Sequence, residues 1–388
     1  MNVGERRARL GRRHHLADSH RADTPLQVAR DLVALHGTDP ATVFLSAAAR
    51  LKTPSVAAIE HALYEQRTLV RMLGMRRTMF AVADELAPVV QSACTRAIAV
   101  QLRKRYAQLL EQAGVTDDAE AFMATLEADG LVALRKRGEA TAQELGQDVP
   151  ALKTQIHLAQ GKSYEGVQSV STWILMLLSA EGKISRGRPR GSWISSQYRW
   201  APIEAWLPGG LAALPGPEAQ QTLVGEWLRA FGPGTLDDLK WWTGLTMGEV
   251  KRAIQGLEVV EVAMGESTGL ILATDVEPVQ PAEPWVALLP ALDPTPMGYI
   301  GRDWFLGPHA GALFDRSGNI GPSVWCDGRI VGGWAQRKNG EIVHRLLEDI
   351  GGDAATRADR AAQVLGHWLG PVRITPRFRT PLERELSA

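Results

Sequence analysis

Residues 220–277 read QQTLVGEWLRAFGPGTLDDLKWWTGLTMGEVKRAIQGLEVVEVAMGESTGLILATDVE. The opening run predicts a helix stopped at Gly232-Pro233, because proline brings no main-chain donor and disfavours a helical residue before it. A short helix then starts at Thr235, whose hydroxyl suits an N-cap. A third carries Leu245, Val250, Ile254 and Leu257 close to one face. Two strand-like runs around a polar, glycine-containing turn complete the unit as a hairpin. Three helices followed by a hairpin are the plan of a winged helix.

The same order recurs upstream. EATAQELGQDV and SVSTWILMLLSAEG read as helices. KISRGRPRGSWISSQYRW reads as a hairpin with Arg186, Arg188 and Arg190 at its tip, and Ser192 just beyond. PIEAWLPGG closes that unit. Nearer the N-terminus, TPLQVARDLVAL, DPATVFLSAAARL and SVAAIEHALYEQ predict three helices. TLVRMLGMRRTMFAVA predicts the hairpin, with Arg76, Arg77 and Thr78 on its return. Longer helices over about 84–137 join the two units.

Between the first two helices of this N-terminal unit stands LHGTDP. Asp39 before Pro40 reads as an N-cap with proline in the first turn. Gly37 reads as the left-handed residue that ends the preceding helix, with His36 closing its last turn.

Residues 282–376 change character, with strand-like runs WVALLPALD, AGALFD, SVWCDG, RIVGGWAQ and EIVHRLLED. Asp327-Gly328 and Asn339-Gly340 are hairpin turn signals. A short helix is expected near TRADRAAQVLGHWLG, and the whole as a small β-rich domain resembling a partial barrel. The expected fold is therefore α+β, mainly helical. Its expected segments are 1–115, a first winged helix with a basic N-terminal arm and linker helix; 116–216, a second winged helix; 217–280, a third; and 281–388, the β-rich part.

The 388 residues hold 43 basic and 43 acidic side chains, which excludes a uniformly basic nucleic-acid binder but leaves local patches. Six arginines fall within residues 1–21, and further clusters lie at Arg67–Arg77, Arg103–Arg105, Arg135–Arg137 and Lys183–Arg190. A single basic cluster is ordinarily a solvated face. The N-terminus lacks the apolar run of a secretory signal, and no stretch reaches the length of a membrane span. Two cysteines, Cys94 and Cys326, make no disulfide framework, so a reduced cytoplasmic setting is expected. His14, His15 and His20 lack matching ligands elsewhere for a zinc site. No phosphate-cradling glycine loop and no Gly-x-Ser-x-Gly elbow occurs. Trp173, Trp241 and Trp242 fall within helices and are expected to pack.

Taken in order, LHGTDPATVFLSAAARL, RTLVRMLGMRRTMFAVA, STWILMLLSAEGKISRGRPRG followed by EAWLP, LLPALDPTPMGYIGRDWFL and SVWCDGRIVGGW give a chain that resembles the AlkZ-like DNA glycosylases over nearly its whole length. The resemblance implies three winged helices bent into a C shape around double-stranded, damaged DNA. It also implies a monofunctional enzyme that excises alkylated bases, N7-type or crosslinked, without metal or cofactor. A monomer associated with the nucleoid is expected. The family's catalytic motif is Gln, a small or apolar residue, then Gln or Asp, before Asp-Pro. Here that place reads His36-Gly37-Thr38, so His36, Thr38 and Asp39 are the catalytic candidates. Arg76, Arg77, Thr78, Arg186, Arg188, Arg190, Ser192, Lys251 and Arg252 are the DNA-contact candidates.

An N7-alkylated purine is already cationic and leaves without a general acid. The site has to stabilise an oxocarbenium-like sugar and hold a water at C1′. A histidine titrating near neutrality could take that water's proton, help typically worth about 10²–10⁴ in rate. The alternative expectation is a non-catalytic winged-helix DNA-binding protein, a regulator or lesion binder. A scaffold that ignores DNA would bind partners indifferently to salt.

Overall fold

The structure is a computed structural model describing residues 1–158 and 166–388; residues 159–165, within the expected 116–216 unit, lie outside the described residues. The chain is α+β, with five small antiparallel sheets among the described residues.

Helices Pro25–Asp31, Pro40–Ala48 and Val56–Glu60 precede the hairpin Leu69–Gly74/Thr78–Ala83. The sequence missed one feature there. Leu35–His36 is a short strand that pairs with Thr78–Ala83, setting His36 opposite Phe80 and making a three-stranded sheet. The corner is thus a strand-to-helix turn. His36 closes no helix, because the preceding one ends at Asp31. Gly37 has no positive φ, and its N–H donates to Met79 O at 2.7 Å. The ladder fixes it in extended backbone, which explains why the expected left-handed cap is absent. Asp39 does cap its helix, accepting from Ala41 N at 3.0 Å, with Pro40 in the first turn.

Two long helices, Arg96–Gln112 and Ala119–Arg137, lead to Ala142–Asp148, a capping box of Thr141 and Glu144, and the apolar helix Val170–Ala180. An unexpected strand pair, Gln155–Leu158 with Gly166–Ser169, lies between them. The hairpin Ile184–Pro189/Tyr198–Pro202 follows, with a bulge between Arg186 and Pro189. Helices Gly216–Phe231, Leu236–Thr243 and Met247–Gln255 and the hairpin Val259–Met264/Ser267–Leu272 then match the pattern of the opening stretch. Thr235 and Thr246 each head a capping box, with Asp238 and Glu249.

The C-terminal part is a four-stranded antiparallel meander of Val286–Leu289, Ser323–Cys326, Arg329–Gln336 and Ile342–Leu346. It is an open sheet rather than a partial barrel. Asp327 and Gly328 both take positive φ in the expected tight turn. AGALFD, expected as a strand, holds the helical turn Ala310–Leu313. The final helix of the expected set is longer than predicted, Gly352–Leu369, and Pro381–Ser387 follows it.

The apolar interior ties these parts together. Trp227, Phe231 and Tyr299 centre one core shared by the first hairpin, the third helical unit and the C-terminal sheet. A second core joins Phe44 and Leu45 of the first unit to Trp334 and Ala358 of the C-terminal part. Arg50 and Asp293 cross that junction fully buried, with Nη2 to Oδ1 at 2.6 Å. The N-terminal segment is no free basic arm. In helix Val3–Arg13, Arg9 and Arg13 pair with Asp275, and Arg7 donates to Trp304 O. His14 contacts Thr295 Oγ1 at 2.8 Å and Ala230 O at 3.1 Å, and His15 contacts Asp31 at 2.7 Å.

Candidate functional site: an arginine-lined cleft at the corner

The strand Leu35–His36 and the helix Pro40–Ala48 set three consecutive side chains in different places. Thr38 opens onto a cleft of about 550 Å³. Arg186, Arg190, Ser196, Gln197, Tyr198 and Trp200 from the second hairpin line it, with Thr141, Gln143 and Arg377. Among the described residues, Arg, Thr, Ser, Gln, Tyr and Trp supply its polar lining, with no carboxylate and no lysine.

His36 lies beneath, 6% exposed, edge-on to Phe80 with ring centres 5.4 Å apart. Its Nδ1 is buried without a hydrogen-bond partner among the described residues. Burial, and secondarily the charge of Arg76, push its pKa down to about 3. The ring is therefore neutral at pH 7 and a weak base, unlike the near-neutral base the residue type suggested. Asp39 is outside the cleft. Its Oδ1 caps the helix, while its Oδ2 accepts from Arg377 N at 2.9 Å.

Cations crowd the cleft, and no carboxylate lines it among the described residues. The Arg186 guanidinium lies 5.1 Å from the Tyr198 ring centre and 5.4 Å from that of Trp200. Burial lowers its pKa, with Arg71 and Arg377 adding to the effect and Tyr198 opposing it. Arg71, fully buried, donates to Tyr198 Oη at 3.1 Å. Arg71 Nε and Nη2 and Arg186 Nε find no acceptor among the described residues. Buried cations without partners are costly unless an anion joins them.

The other sequence candidates scatter. Arg188 turns away to Glu60 at 2.7 Å and Glu65 at 3.1 Å. Arg186 and Arg188 lie within strand Ile184–Pro189 rather than at the hairpin tip. That tip is pinned: Trp193, 6% exposed, packs 5.0 Å from Phe44 and 5.8 Å from Trp368 between ring centres. Ser192 is exposed on the same loop. Arg76 and Arg77 form the turn of the first hairpin at positive φ; Arg77 is exposed, and Arg76 and Thr78 are half-buried. Lys251 and Arg252 are exposed on their helix and line no part of the cleft. Trp173 and Trp242 are buried, as expected of helix residues, and Trp241 is half-buried. Sequence reasoning missed Arg71, Tyr198, Trp200, Arg302 and Arg377. Arg71, Tyr198 and Trp200 carried a signal through their places in the two hairpins, and Arg302 through its place in LLPALDPTPMGYIGRDWFL, whereas Arg377 carried none.

Comparison with known proteins bears on what this corner is. A profile for AlkZ-like DNA glycosylases matches residues 29–368. The chain belongs to the AlkZ-like DNA glycosylase family. Among solved structures, the Streptomyces sahachiroi DNA glycosylase AlkZ is similar, with a TM-score of 0.73 and 19% identity over 97% of this chain and 98% of that one. At that identity the likeness is one of fold. No curated protein matches. Among the described residues no helix is long and apolar enough to cross a membrane, and no group of three or more His, Cys, Asp or Glu side chains is placed to hold a metal ion.

Proposed function

We propose that this chain is a monofunctional DNA glycosylase that hydrolyses the N-glycosidic bond of alkylated bases, built on three tandem winged-helix units within 1–115, 116–216 and 217–280 and a β-rich part at 281–388. The observation that carries it is the cleft at Thr38, lined by Arg186, Arg190 and Arg377 with Tyr198 and Trp200, at the place of the family's catalytic motif. Guanidinium forks suit phosphate, and the aromatic rings offer a stacking surface.

In this reading the arginines bind the backbone, and Thr38 Oγ1 holds a phosphate oxygen or the water. The glycosidic electron pair goes to the base and cancels its positive charge. Water adds to C1′ and releases its proton to solvent. His36, neutral, acts as a hydrogen-bond acceptor rather than as a base. Asp39 acts by holding the corner in place. A cationic base suits this reading, because it leaves without a general acid, and among the described residues the lining holds no carboxylic acid and no histidine.

The test is incubation with duplex DNA carrying N7-methylguanine or a nitrogen-mustard crosslink, followed by alkali. Strand breaks that disappear in Arg186→Met support the reading. The burial of His36 favours a second reading, a lesion binder without catalysis. Lesion-selective binding with no alkali-labile product would establish it.

A further inference from the structure

Two arginines from distant parts of the chain meet over one indole. The Arg76 guanidinium lies 3.8 Å from the Trp241 ring centre, on the turn of the first hairpin. Arg302 lies 5.0 Å from the same ring and 4.8 Å from that of Phe314. Arg76 Nε and Arg302 Nε and Nη2 are buried without an acceptor among the described residues. Burial, then Arg302, lowers Arg76 to about 10. Burial lowers Arg302 to about 10 against the pull of Asp238. That carboxylate is already occupied: Oδ1 accepts from Ile300 and Gly301 N, and Oδ2 from Thr235 N and Oγ1. Like charges so close repel, and each has given up water. Arg76 Nη1 and Nη2 and Arg302 Nη1 are not among the buried atoms, which leaves them for the oxygens of an anion.

The position is informative. Arg76 is the charge that acts on His36, whereas Thr38 opens onto the cleft of Arg186 and Arg377. The hairpin turn that carries Arg76 precedes Thr78–Ala83, the strand that pairs with His36 and accepts from Gly37 N through Met79 O, so both cation groups border the same corner.

We infer that Arg76 and Arg302, held on Trp241, form a second phosphate site that grips a backbone phosphate of the bound DNA strand beside the corner, in addition to the Arg186–Arg377 cleft. The inference rests on the DNA-binding part of the proposed function and on nothing about its chemistry.

The experiment is fluorescence anisotropy of a labelled, undamaged 21-base-pair duplex, titrated across a range of salt with wild type, Arg302→Met, Arg76→Gln and the double variant. Each lost phosphate contact reduces the log–log salt slope by about 0.9. One shared site predicts that loss in either single variant and little more in the double. The methionine variant should melt no lower than wild type, because an unpartnered buried cation has been removed; a merely structural pair would melt lower and keep its slope. Arg76→Gln, on an accessible turn, carries the test if Arg302→Met does not fold. A slope unchanged in both singles but reduced in Arg186→Met overturns the second site and leaves the glycosylase reading standing. Inorganic phosphate that quenches tryptophan in wild type but not in Arg302→Met, with the slope unchanged, assigns the site to free phosphate and overturns its role on DNA. Loss of slope without any abasic product keeps the site and removes the glycosylase reading.

Discussion

His36→Gln replaces the buried imidazole by a neutral amide that does not titrate, and its effect can be worked from the structure. Burial first, and then Arg76, holds the folded-state pKa at about 3. In the unfolded chain a histidine titrates near 6.5. A group whose folded pKa is depressed stabilises the fold above its unfolded value and loses that contribution as pH falls. At pH 7.5 both states are neutral. At pH 5 the unfolded chain has taken up a proton that the folded one refuses, which costs roughly 2 kcal/mol. Urea unfolding followed by tryptophan fluorescence at pH 7.5 and 5.0 measures this. Wild type should lose about 2 kcal/mol more between the two pH values than His36→Gln. His14, also buried and held well below the usual histidine range, remains in both proteins and cancels. Comparing differences across pH also removes any change in packing caused by the amide. Identical pH dependence in the two proteins would refute the view that His36 stays neutral and buried. The same pKa predicts that activity shows no inflection from His36 between pH 5 and 8.

Thr38→Val should keep the fold and lower base excision by about tenfold to a hundredfold, the loss of one hydrogen bond to water or phosphate, read by alkali cleavage. Asp39→Ala removes an N-cap and the acceptor for Arg377 N, and should destabilise by about 2–3 kcal/mol in urea unfolding. Arg50→Met strands Asp293 in a dry interior, and should cost about 3–5 kcal/mol or abolish soluble expression. Gly37→Ala should cost under about 1 kcal/mol, because a Cβ there would come no nearer than 3.4 Å to Met79 O and φ is not positive; a larger loss would restore the left-handed turn.

The helices and hairpins were legible because their signals are local. Thr235 with Asp238 and Thr246 with Glu249 announce helix starts within four residues, and Asp327-Gly328 announces a turn within two. The short strand at Leu35–His36 was not legible, since its partner is Phe80, and nothing local distinguishes a paired corner from a free one. AGALFD failed as a strand because an apolar run that short does not separate helix from strand. The charge clusters misled for a similar reason. Arg9 and Arg13 look like a basic arm until Asp275 arrives from elsewhere in the chain, and Arg188 looks free until Glu60 does. Conversely, Arg377 reaches the corner through a main-chain bond to Asp39 that no spacing rule could anticipate.

The main chain of Gly37, bonded to Met79, and the carboxylate of Asp39 hold the corner where it is. Neither bond involves the side chain of residue 36 or 38. Those two positions are therefore sockets: what occupies them can change while the backbone that presents them stays still. Exchanging the side chains at residues 36 and 38 changes what the corner presents and leaves its backbone unmoved, so new chemistry can be tried there without solving the fold again.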